Sequence, residues 1–306
     1  ILKNILIFII IKKMKKVTIE IDLNAGFCFG VTNSIKKTEE LLKNREGIYV
    51  LGELVHNEEE LNRLKKLGLK EISYNDIDLL KGKEIIIRAH GEPPSTYEKL
   101  QKADAKIYDF TCPIVLHLQK KISTIAEKMQ KLNGQIVIYG LKNHPEVVGL
   151  LGHTKNRGIV VENIEQAKEI VLDKPIALFS QTTKDKEGFE KIEEYFRTEL
   201  NKRNIHFESY ATMCKIVAKR APALQKFAEE HDFIIFVSGK ESSNGKYLYN
   251  IAKTANPNTI FVSLLSDIDE INIPTDVKSI GISGATSTPL SLLELIKENL
   301  EKKLNN

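Results

Sequence analysis

Short apolar runs alternate with amphipathic segments of helical spacing along nearly the whole chain, and this alternation constrains the fold more than any other feature. It predicts parallel sheets with helices packed on both faces. Right-handed crossovers then bring the loops that follow the strands to one edge of each sheet, where open α/β sheets bind ligands. The predicted strands are Val17–Leu23, Tyr49–Leu51, Ile85–Ile87, Lys106–Tyr108, Ile136–Tyr139, Ile159–Val161, Ile176–Phe179, Ile205–Phe207, Phe233–Val237, Ile260–Leu264 and Ser279–Ile282. The predicted helices include Thr32–Asn44, Pro113–Leu132, Lys184–Asn201, Ala218–Glu230 and Pro289–Leu304.

The three cysteines, Cys28, Cys112 and Cys214, each stand where an apolar run gives way to a helical pattern. Each is followed, at similar intervals, by two polar sites near the ends of later strands. This repeat predicts three similar α/β modules that each give one thiolate and two polar groups to a shared centre. The predicted division is an N-terminal extension at residues 1–16 and modules at residues 17–111, 112–212 and 213–306. The polar sites are His56 and His90 after Cys28, His144 and Thr182 after Cys112, and Ser242–Asn244 and Ser287 after Cys214.

The cysteine count and the charge distribution limit the class of protein. An odd number of cysteines, separated by 84 and 102 residues and without a Cys-x-x-Cys pair, is unlike a secreted disulfide framework and favours a cytoplasmic, reducing compartment. The formal net charge of +4 comes from the first 16 residues, which hold five lysines and no acidic residue. The rest of the chain is close to neutral and has no basic stripe, so we expect no nucleic-acid partner.

The N-terminal segment carries an apolar run, Ile5–Ile11, which is too short to span a bilayer, since a spanning helix needs about 20 residues. No small-residue cleavage site follows it, as a signal peptide would require. We therefore expect no membrane partner, and we interpret Met14 as the natural start. An interfacial anchor is the alternative interpretation.

The cysteine contexts favour a metal centre. Cys28 lies between Gly26 and Gly30, and Cys112 precedes Pro113, so both come just ahead of a predicted helix, whose N-terminus lowers a thiol pKa. Thiolates are the ligands of iron–sulfur clusters, and three of them leave one coordination position open. Two alternatives remain at this point. Free cysteines are often small buried apolar residues, and structural zinc normally takes four ligands in closely spaced pairs.

The histidines His56, His90 and His144 form a second set of candidates. Together they offer imidazoles that can donate hydrogen bonds to a phosphate and titrate near neutrality. Glu146, two residues beyond His144, could hold or relay a proton, and Thr182 could supply a hydroxyl. The alternatives are hydrogen-bonded loop histidines, a solvated glutamate and a threonine at a helix start.

Two loops rich in small hydroxyl residues form a third set. Ser242, Ser243 and Asn244 follow one predicted strand, and Ser287 follows another. Backbone N–H groups and hydroxyls in such loops bind anions. The terminal Gly-Lys-Ser/Thr of a P-loop is missing, so the pattern is not that nucleotide site. Helix N-capping is the alternative for Ser243 and Ser287.

From Val17 to Pro289 the chain resembles the LytB family of 4-hydroxy-3-methylbut-2-enyl diphosphate reductases, which act last in the non-mevalonate isoprenoid route. The motifs that carry the resemblance occur in the order and at the spacing of the family. They are GFCFGV around Cys28, GELVHN around His56, RAHG around His90, TCP around Cys112, HPEV around His144, SQTT around Thr182, SSN at Ser242–Asn244 and TSTP around Ser287. Each motif is short, but the ordered set is specific.

The resemblance implies three similar α/β domains with mainly parallel sheets, arranged as a trefoil around one 4Fe–4S cluster per chain. Cys28, Cys112 and Cys214 match the cluster ligands, which leaves one iron without a protein ligand. Glu146 matches the residue that delivers a proton, and Thr182 matches its partner near the substrate hydroxyl. The residues that match positions around the substrate diphosphate are His56, His90, His144, Ser242, Ser243, Asn244 and Ser287.

The implied reaction is the reductive dehydroxylation of an allylic diphosphate to isopentenyl and dimethylallyl diphosphate, with electrons from a donor such as ferredoxin or flavodoxin. One stretch departs from the family, which usually has Ala-Thr and then Arg-Gln after the third cysteine. Here Arg220 keeps its place, but Val217 and Ala221 replace the polar residues.

Two alternatives to the implied reductase function remain. One is a non-catalytic iron–sulfur sensor or binding module derived from the family, and the other is a zinc-dependent hydrolase that uses the histidines.

Overall fold

The computed structural model describes residues 17–305, so the extension at residues 1–16 lies outside the described residues. Within the described range, no helix is long and apolar enough to cross a membrane. The strands are β1 (Thr18–Ile21), β2 (Ile48–Leu51), β3 (Lys70–Ile72), β4 (Glu84–Ile87), β5 (Lys106–Asp109), β6 (Gln135–Tyr139), β7 (Ile159–Val161), β8 (Ile176–Ser180), β9 (Phe207–Ser209), β10 (Phe233–Val237), β11 (Thr259–Val262) and β12 (Ser279–Gly284). The helices are α1 (Phe29–Asn44), α2 (Glu58–Lys66), α3 (Pro94–Lys102), α4 (Pro113–Lys131), α5 (Pro145–His153), α6 (Ile164–Lys168), α7 (Lys186–Lys202), α8 (Lys215–Ala218), α9 (Arg220–Glu229), α10 (Ser243–Ala255) and α11 (Leu290–Asn305). Two 3₁₀ helices, Tyr74–Leu80 and Leu265–Glu270, complete the list.

The strands form three four-stranded sheets in which every pair is parallel. The strand orders are β1-β12-β10-β11, β5-β4-β2-β3 and β9-β8-β6-β7. The predicted fold class, three similar α/β units with parallel sheets, is confirmed. It follows from the alternation of strands and helices, since each crossover helix lies between two parallel strands.

Each sheet repeats one internal plan. Its edge strand leads to a cysteine: β1 to Cys28, β5 to Cys112 and β9 to Cys214. The next strand inward, β12, β4 or β8, and the one after it, β10, β2 or β6, each end in a loop that carries a predicted polar site. Because all strands in a sheet run the same way, the cysteine and both polar loops of that sheet lie at one edge.

The grouping of cysteines with polar sites differs from the repeat predicted from the sequence. Each cysteine shares a sheet with the two polar sites that the sequence assigned to another module. The sequence grouped Cys28 with His56 and His90, but β1 pairs with β12, so Cys28 shares a sheet with the loops of Ser242 and Ser287. The predicted first module, residues 17–111, therefore includes one strand, β1, that pairs in the sheet of β10, β11 and β12. The predicted cuts near residues 111 and 212 fall between β5 and α4 and between β9 and α8.

The cores explain why the chain moves to the next sheet after each cysteine. The inner strands Ile176–Ser180 and Phe233–Val237 are buried along their whole length, as expected for parallel sheets covered on both faces. Ile35 of α1 packs in the core over β2, Leu118 of α4 in the core over β6, and Leu224 of α9 in the core over β10. Each buried large apolar side chain contributes about 1.5–3 kcal/mol, so these contacts fix the crossover helices.

Two local differences from the predicted elements have physical causes. β3 carries two exposed residues in its three, so it has no apolar alternation to reveal it. The apolar pattern predicts a strand from Ile205, but the N–H of Ile205 donates to the carbonyl of Leu200 at 2.9 Å and Asn204 adopts φ 53°. Ile205 therefore completes the end of α7, and the strand begins at Phe207.

Candidate active site

One central cavity lies where the three sheet edges meet. Its wall contains every residue that the sequence singled out for chemistry. These are Cys28, His56, His90, Cys112, His144, Glu146, Thr182, Cys214, Ser242, Ser243, Asn244 and Ser287. Apolar side chains complete the wall, and they include Val31, Leu54, Ile114, Val115 and Val217. Such a mixture of an apolar wall and a few converging polar groups is typical of a small-molecule site.

The three cysteines are placed by equivalent backbone contacts. Each is the residue immediately before a helix, at the starts of α1, α4 and α8. Each also donates its backbone N–H to the carbonyl of the neighbouring polar loop. The bonds run from Cys28 to Thr286 at 3.1 Å, from Cys112 to Ala89 at 3.0 Å and from Cys214 to Thr182 at 2.8 Å. In each of the three sheets, this bond therefore holds one cysteine next to one polar loop.

The thiols are close enough to affect one another. Burial raises the pKa of the Cys112 thiol, and negative charge on Cys28 and Cys214 raises it further, against backbone hydrogen bonds that lower it. Three thiolates in one apolar cavity are unfavourable unless a cationic group shares them. A Cβ on Gly30 would lie 2.8 Å from Sγ of Cys112, so only glycine lets α1 approach that sulfur. This donor set fits an iron–sulfur cluster.

Glu146 and Thr182 form a buried pair. The carboxylate accepts the Thr182 backbone N–H at 2.7 Å and its hydroxyl at 2.6 Å. These bonds lower the pKa of Glu146, but the cost of burying its charge is larger and raises that pKa to about 7. A carboxyl group with this pKa can donate a proton near neutrality and recover it.

The three histidine rings of the wall form one cluster. Their centroids are 5.0 Å apart for His56 and His90, 5.3 Å for His90 and His144, and 5.7 Å for His56 and His144. The expectation that all three titrate near neutrality is wrong. Burial lowers the pKa of His90 well below its ordinary value and that of His144 to about 3, so both rings are neutral near pH 7.

One nitrogen from each ring lies within 4.8 Å of the others, a distance at which three histidines could share a metal ion. However, Nδ1 of His144 accepts the backbone N–H of Glu146 at 3.2 Å, which places the ring hydrogen on Nε2. His144 therefore acts as a hydrogen-bond donor through Nε2, as anion binding requires. Its hydrogen bond does not favour the zinc-dependent alternative.

The two hydroxyl-rich loops are joined by side-chain contacts. Ser242 accepts the N–H of Gly245 at 3.1 Å at the start of α10, and Ser287 donates to the Ser242 hydroxyl at 3.1 Å. Asn244 accepts the N–H of Thr286 at 3.0 Å through Oδ1. Its Nδ2 is buried and has no partner among the described residues, so the amide presents a free donor in the cavity wall.

The stretch after Cys214 has an apolar surface toward the cavity. Val217 is buried and lines the cavity, whereas Ala221 packs in the core over β10. Arg220 has a buried Nη1 without a partner in the described part of the chain. Burial lowers the pKa of Arg220, while negative charge on Cys28 and Asp22 opposes that shift. The guanidinium is thus a cation close to the Cys28 thiol.

Sequence reasoning did not assign a role to two polar groups in this region. Thr286 lines the cavity and contacts both Cys28 and Asn244, and Glu53 bonds to His56. Both stand inside motifs that were recognised, TSTP and GELVHN. Their contacts depend on backbone groups and on loop geometry, which motif letters do not encode.

Comparison with known proteins identifies the family. The family model described as LytB protein matches residues 19–301. The chain belongs to the LytB family. Curated relatives named 4-hydroxy-3-methylbut-2-enyl diphosphate reductase include that of Parabacteroides distasonis, 42% identical over 94% of this chain and 99% of the relative. The relative of the same name from Phocaeicola vulgatus is 46% identical over 92% of this chain and 98% of its own length.

Solved structures of the family match the fold. A structure titled as (E)-4-hydroxy-3-methyl-but-2-enyl diphosphate reductase, the terminal enzyme of the non-mevalonate pathway, superposes with a TM-score of 0.67 and 34% identity over 94% of this chain and 99% of that chain. The Plasmodium falciparum reductase superposes with a TM-score of 0.78 and 27% identity over 95% of this chain and 89% of that chain. Membership of the LytB family makes this chain an oxidoreductase with an iron–sulfur cluster.

Proposed function

We propose that this LytB-family chain reduces 4-hydroxy-3-methylbut-2-enyl diphosphate to isopentenyl and dimethylallyl diphosphate, the last step of the non-mevalonate route. The observation that carries the proposal is that three thiols, the buried Glu146–Thr182 pair and a set of hydrogen-bond donors line one cavity. The relatives with this activity in their names span nearly the whole chain. A non-catalytic sensor would have no need for the buried Glu146–Thr182 pair.

The cofactor that fits the thiols is one 4Fe–4S cluster per chain, held by Cys28, Cys112 and Cys214, with one iron left without a protein ligand. When bound, it supplies electrons one at a time and a Lewis-acidic position for the substrate oxygen. The residues around the cluster bind and orient the substrate, exclude water and deliver protons.

Glu146 is proposed as the proton donor. The substrate hydroxyl leaves as water, and the balance of the reaction takes two electrons and two protons. Glu146 gives one proton to the departing oxygen, and Thr182 holds the carboxyl in place through its N–H and hydroxyl. The second proton goes to either end of the allylic carbon chain, which produces the two isomers.

The diphosphate is proposed to lie among the donors on the remaining walls. These are His56, His90, His144, Ser242, Ser243, Asn244 and Ser287. The neutral rings of His90 and His144 and the free Asn244 amide suit an anion in an apolar setting, because unpaired donors there are costly until a ligand arrives. Held at several points, the diphosphate fixes the distance of the hydroxyl from the thiols.

The electrons must come from outside the chain, and we propose a small one-electron donor such as ferredoxin or flavodoxin. The three cysteines of the site are free thiols, as expected in a reducing compartment such as the cytoplasm.

The test is anaerobic purification, with iron and sulfide counted per chain, followed by turnover of the allylic diphosphate with a chemical reductant. We expect about four irons and four sulfides per chain and formation of both isomers. A protein that binds no iron and sulfide, or a fully loaded protein that leaves the substrate unchanged, would disprove the proposal.

The Glu146→Gln variant tests the role of the carboxyl group. The amide retains the shape but cannot donate an acidic proton, so we expect the iron and sulfide content of the wild type and a loss of turnover of at least about 100-fold. Quenched-flow measurement of product formation checks this. Wild-type turnover in the variant would remove Glu146 from the mechanism.

A further inference from the structure

His56 lies between the central cavity and a second depression on the surface, which we call the outer groove. The outer groove is lined by Glu53, His56, Asn57, Glu58, Leu61, Asn62, Lys65, Glu71, Gly239, Lys240, Glu241 and Ser263. The His56 side chain is 12% exposed, and its Nδ1 lies 3.0 Å from Oε2 of Glu53, which is 47% exposed. Its Nε2 is buried and has no partner among the described residues.

The contact with a carboxylate distinguishes His56 from the other two rings. His144 uses Nδ1 to accept a backbone N–H, so it can donate through Nε2 only as a neutral ring. Nδ1 of His90 is buried without a partner in the described range. Glu53 is different because it accepts the Nδ1 hydrogen of His56. If Nε2 is also to donate to an anion, His56 must carry a second proton and a positive charge.

The loop that carries Glu53 is held from both sides. Arg88 donates from Nη1 to the Glu53 carbonyl at 2.9 Å, and Gly52, with φ 66°, lies against that guanidinium. On the other side, a Cβ on Gly239 would come within 2.3 Å of the His56 carbonyl oxygen. The backbone that carries the pair is therefore held in place. The hydrogen bond from His56 lowers the pKa of Glu53, so the carboxylate is charged near neutrality.

We propose that Glu53 is a positioning residue that holds His56 by Nδ1 and stabilises it as an imidazolium whose Nε2–H meets the substrate diphosphate. The inference rests on the proposed function, since it takes a diphosphate as the ligand. The charged and titratable groups that face the pair are His90 and His144 across the cavity, Arg88 behind the loop, and, in the outer groove, Lys65, Lys240, Glu58, Glu71 and Glu241.

The charge balance favours this arrangement in the complex. His90 and His144 are neutral near pH 7, so they do not repel a charged His56. An anionic diphosphate on one side and the Glu53 carboxylate on the other both favour the imidazolium. The proton comes from solvent, because Glu53 is open to the outer groove. Binding should therefore take up a proton.

Isothermal titration calorimetry of the cluster-loaded protein tests this. Isopentenyl diphosphate, and separately inorganic diphosphate, are titrated at pH 7.5 in two buffers of different ionisation enthalpy, so that the buffer dependence of the heat reports the protons taken up. For Glu53→Gln we expect about tenfold weaker binding and less than half of the wild-type proton uptake. As the pH rises, the affinity of this variant for the diphosphates should also begin to fall at a lower pH than that of the wild type. Glu58→Gln, an exposed glutamate of the same groove, is the matched control and should behave as wild type.

A double variant separates positioning from general loss of structure. In a His56→Gln background, Glu53→Gln should have little further effect on affinity or proton uptake, because its partner is gone. Full proton uptake in Glu53→Gln, or an undiminished effect of that substitution in the His56→Gln background, would overturn the inference. Wild-type protein that binds neither diphosphate would instead overturn the proposed function.

Discussion

The state of Glu146 depends on two opposing influences. Burial raises its pKa to about 7, although the hydroxyl and N–H of Thr182 stabilise the charged form. Burial has the larger effect, so a substantial fraction of the carboxyl group holds a proton near neutrality. As pH rises through this pKa the donor is lost, and we expect the activity to decline above about pH 7.

The Thr182→Val variant tests this balance. Removing the hydroxyl removes one stabiliser of the carboxylate, so the pKa of Glu146 should rise and the alkaline decline in kcat/KM should move to higher pH. Turnover at pH 7 should fall by roughly tenfold, since the carboxyl group loses one of its two orienting bonds. Thr183→Val is the control, because Thr183 bonds to Gln181 instead. An unchanged pH profile in Thr182→Val would contradict the prediction.

Val217 offers a second test at the level of one side chain. It lines the cavity three residues after Cys214 and has no group that can donate to sulfur. A threonine could donate a hydroxyl to the thiolate, which stabilises the reduced, more negative cluster. We expect Val217→Thr to raise the cluster potential by roughly 40 mV, which corresponds to one hydrogen bond of about 1 kcal/mol. Redox titration followed by electron paramagnetic resonance measures it, with Val217→Ala as the control. A potential equal to that of Val217→Ala would contradict it.

The sequence could predict which residues meet, but not their protonation. The motifs place His56, His90 and His144 after strands, and parallel topology then brings the loops together. The low pKa values of His90 and His144 arise from burial by segments far away in the chain. That burial exists only in the folded molecule. The ability of His144 to donate a hydrogen bond from Nε2 likewise depends on a single contact, in which its Nδ1 accepts the backbone N–H of Glu146.

At the level of elements, the site depends on helices that begin at its cysteines. α1, α4 and α8 each start at the residue after a cysteine, and the N-terminus of a helix favours negative charge. Ile114 and Val115, at the start of α4, lower the pKa of the Cys112 thiol in this way. Burial and the neighbouring thiols raise it more. A bound cluster would stabilise the thiolate form of Cys112 and so offset this rise in its pKa.

The Gly30→Ala variant tests the close approach of α1 to Cys112. The added Cβ would lie 2.8 Å from Sγ and 3.1 Å from Cβ of Cys112, so the sulfur would have to turn away from the position at which it can bind a cluster. We expect the cluster content after anaerobic reconstitution to fall to less than half. Gly149→Ala, in α5, is the matched control, because its new Cβ would meet nothing nearer than 3.4 Å. Full cluster content in Gly30→Ala would show that the approach is not required.

The partner of β1 is the part of the topology that sequence reasoning could not supply. β1 looks like the first strand of an N-terminal module, yet it pairs with β12 at the other end of the chain. An apolar pattern predicts that a strand is present but not which strand it pairs with, because long-range packing decides the pairing. The core over β10 and β12 includes Ile19 and Ile21 of β1. This placement brings Cys28 to the same sheet edge as Ser287.

At the scale of the whole molecule, the pairing of β1 with β12 closes the ring of three sheets. Each sheet contributes one cysteine, and a helix that follows that cysteine, α1, α4 or α9, packs on another sheet. The cysteines are thus the points where the three units meet. A group bound by all three sulfurs would connect the units to one another, and its binding free energy would add to the stability of the whole chain.

We therefore expect anaerobic reconstitution with iron and sulfide to raise the melting temperature of the wild-type protein. Binding at 100 to 1,000 times the dissociation constant adds about 3–4 kcal/mol, or roughly 5–10 °C for a chain of this size. Cys214→Ser should lose most of this increase. Its apo form should melt close to the apo wild type, because serine replaces one small buried side chain that has no disulfide partner.

Anaerobic differential scanning calorimetry of the apo and reconstituted forms of both proteins measures the four values. The comparison within each protein is the control, since any effect of the substitution on the fold alone appears already in the apo form. An equal increase for Cys214→Ser would mean that the third sheet is not joined to the others through its sulfur. If the wild-type increase were confined to one of several separate transitions, the cluster would be held within fewer than three units. A single shifted transition is what a ligand shared by all three sheets requires.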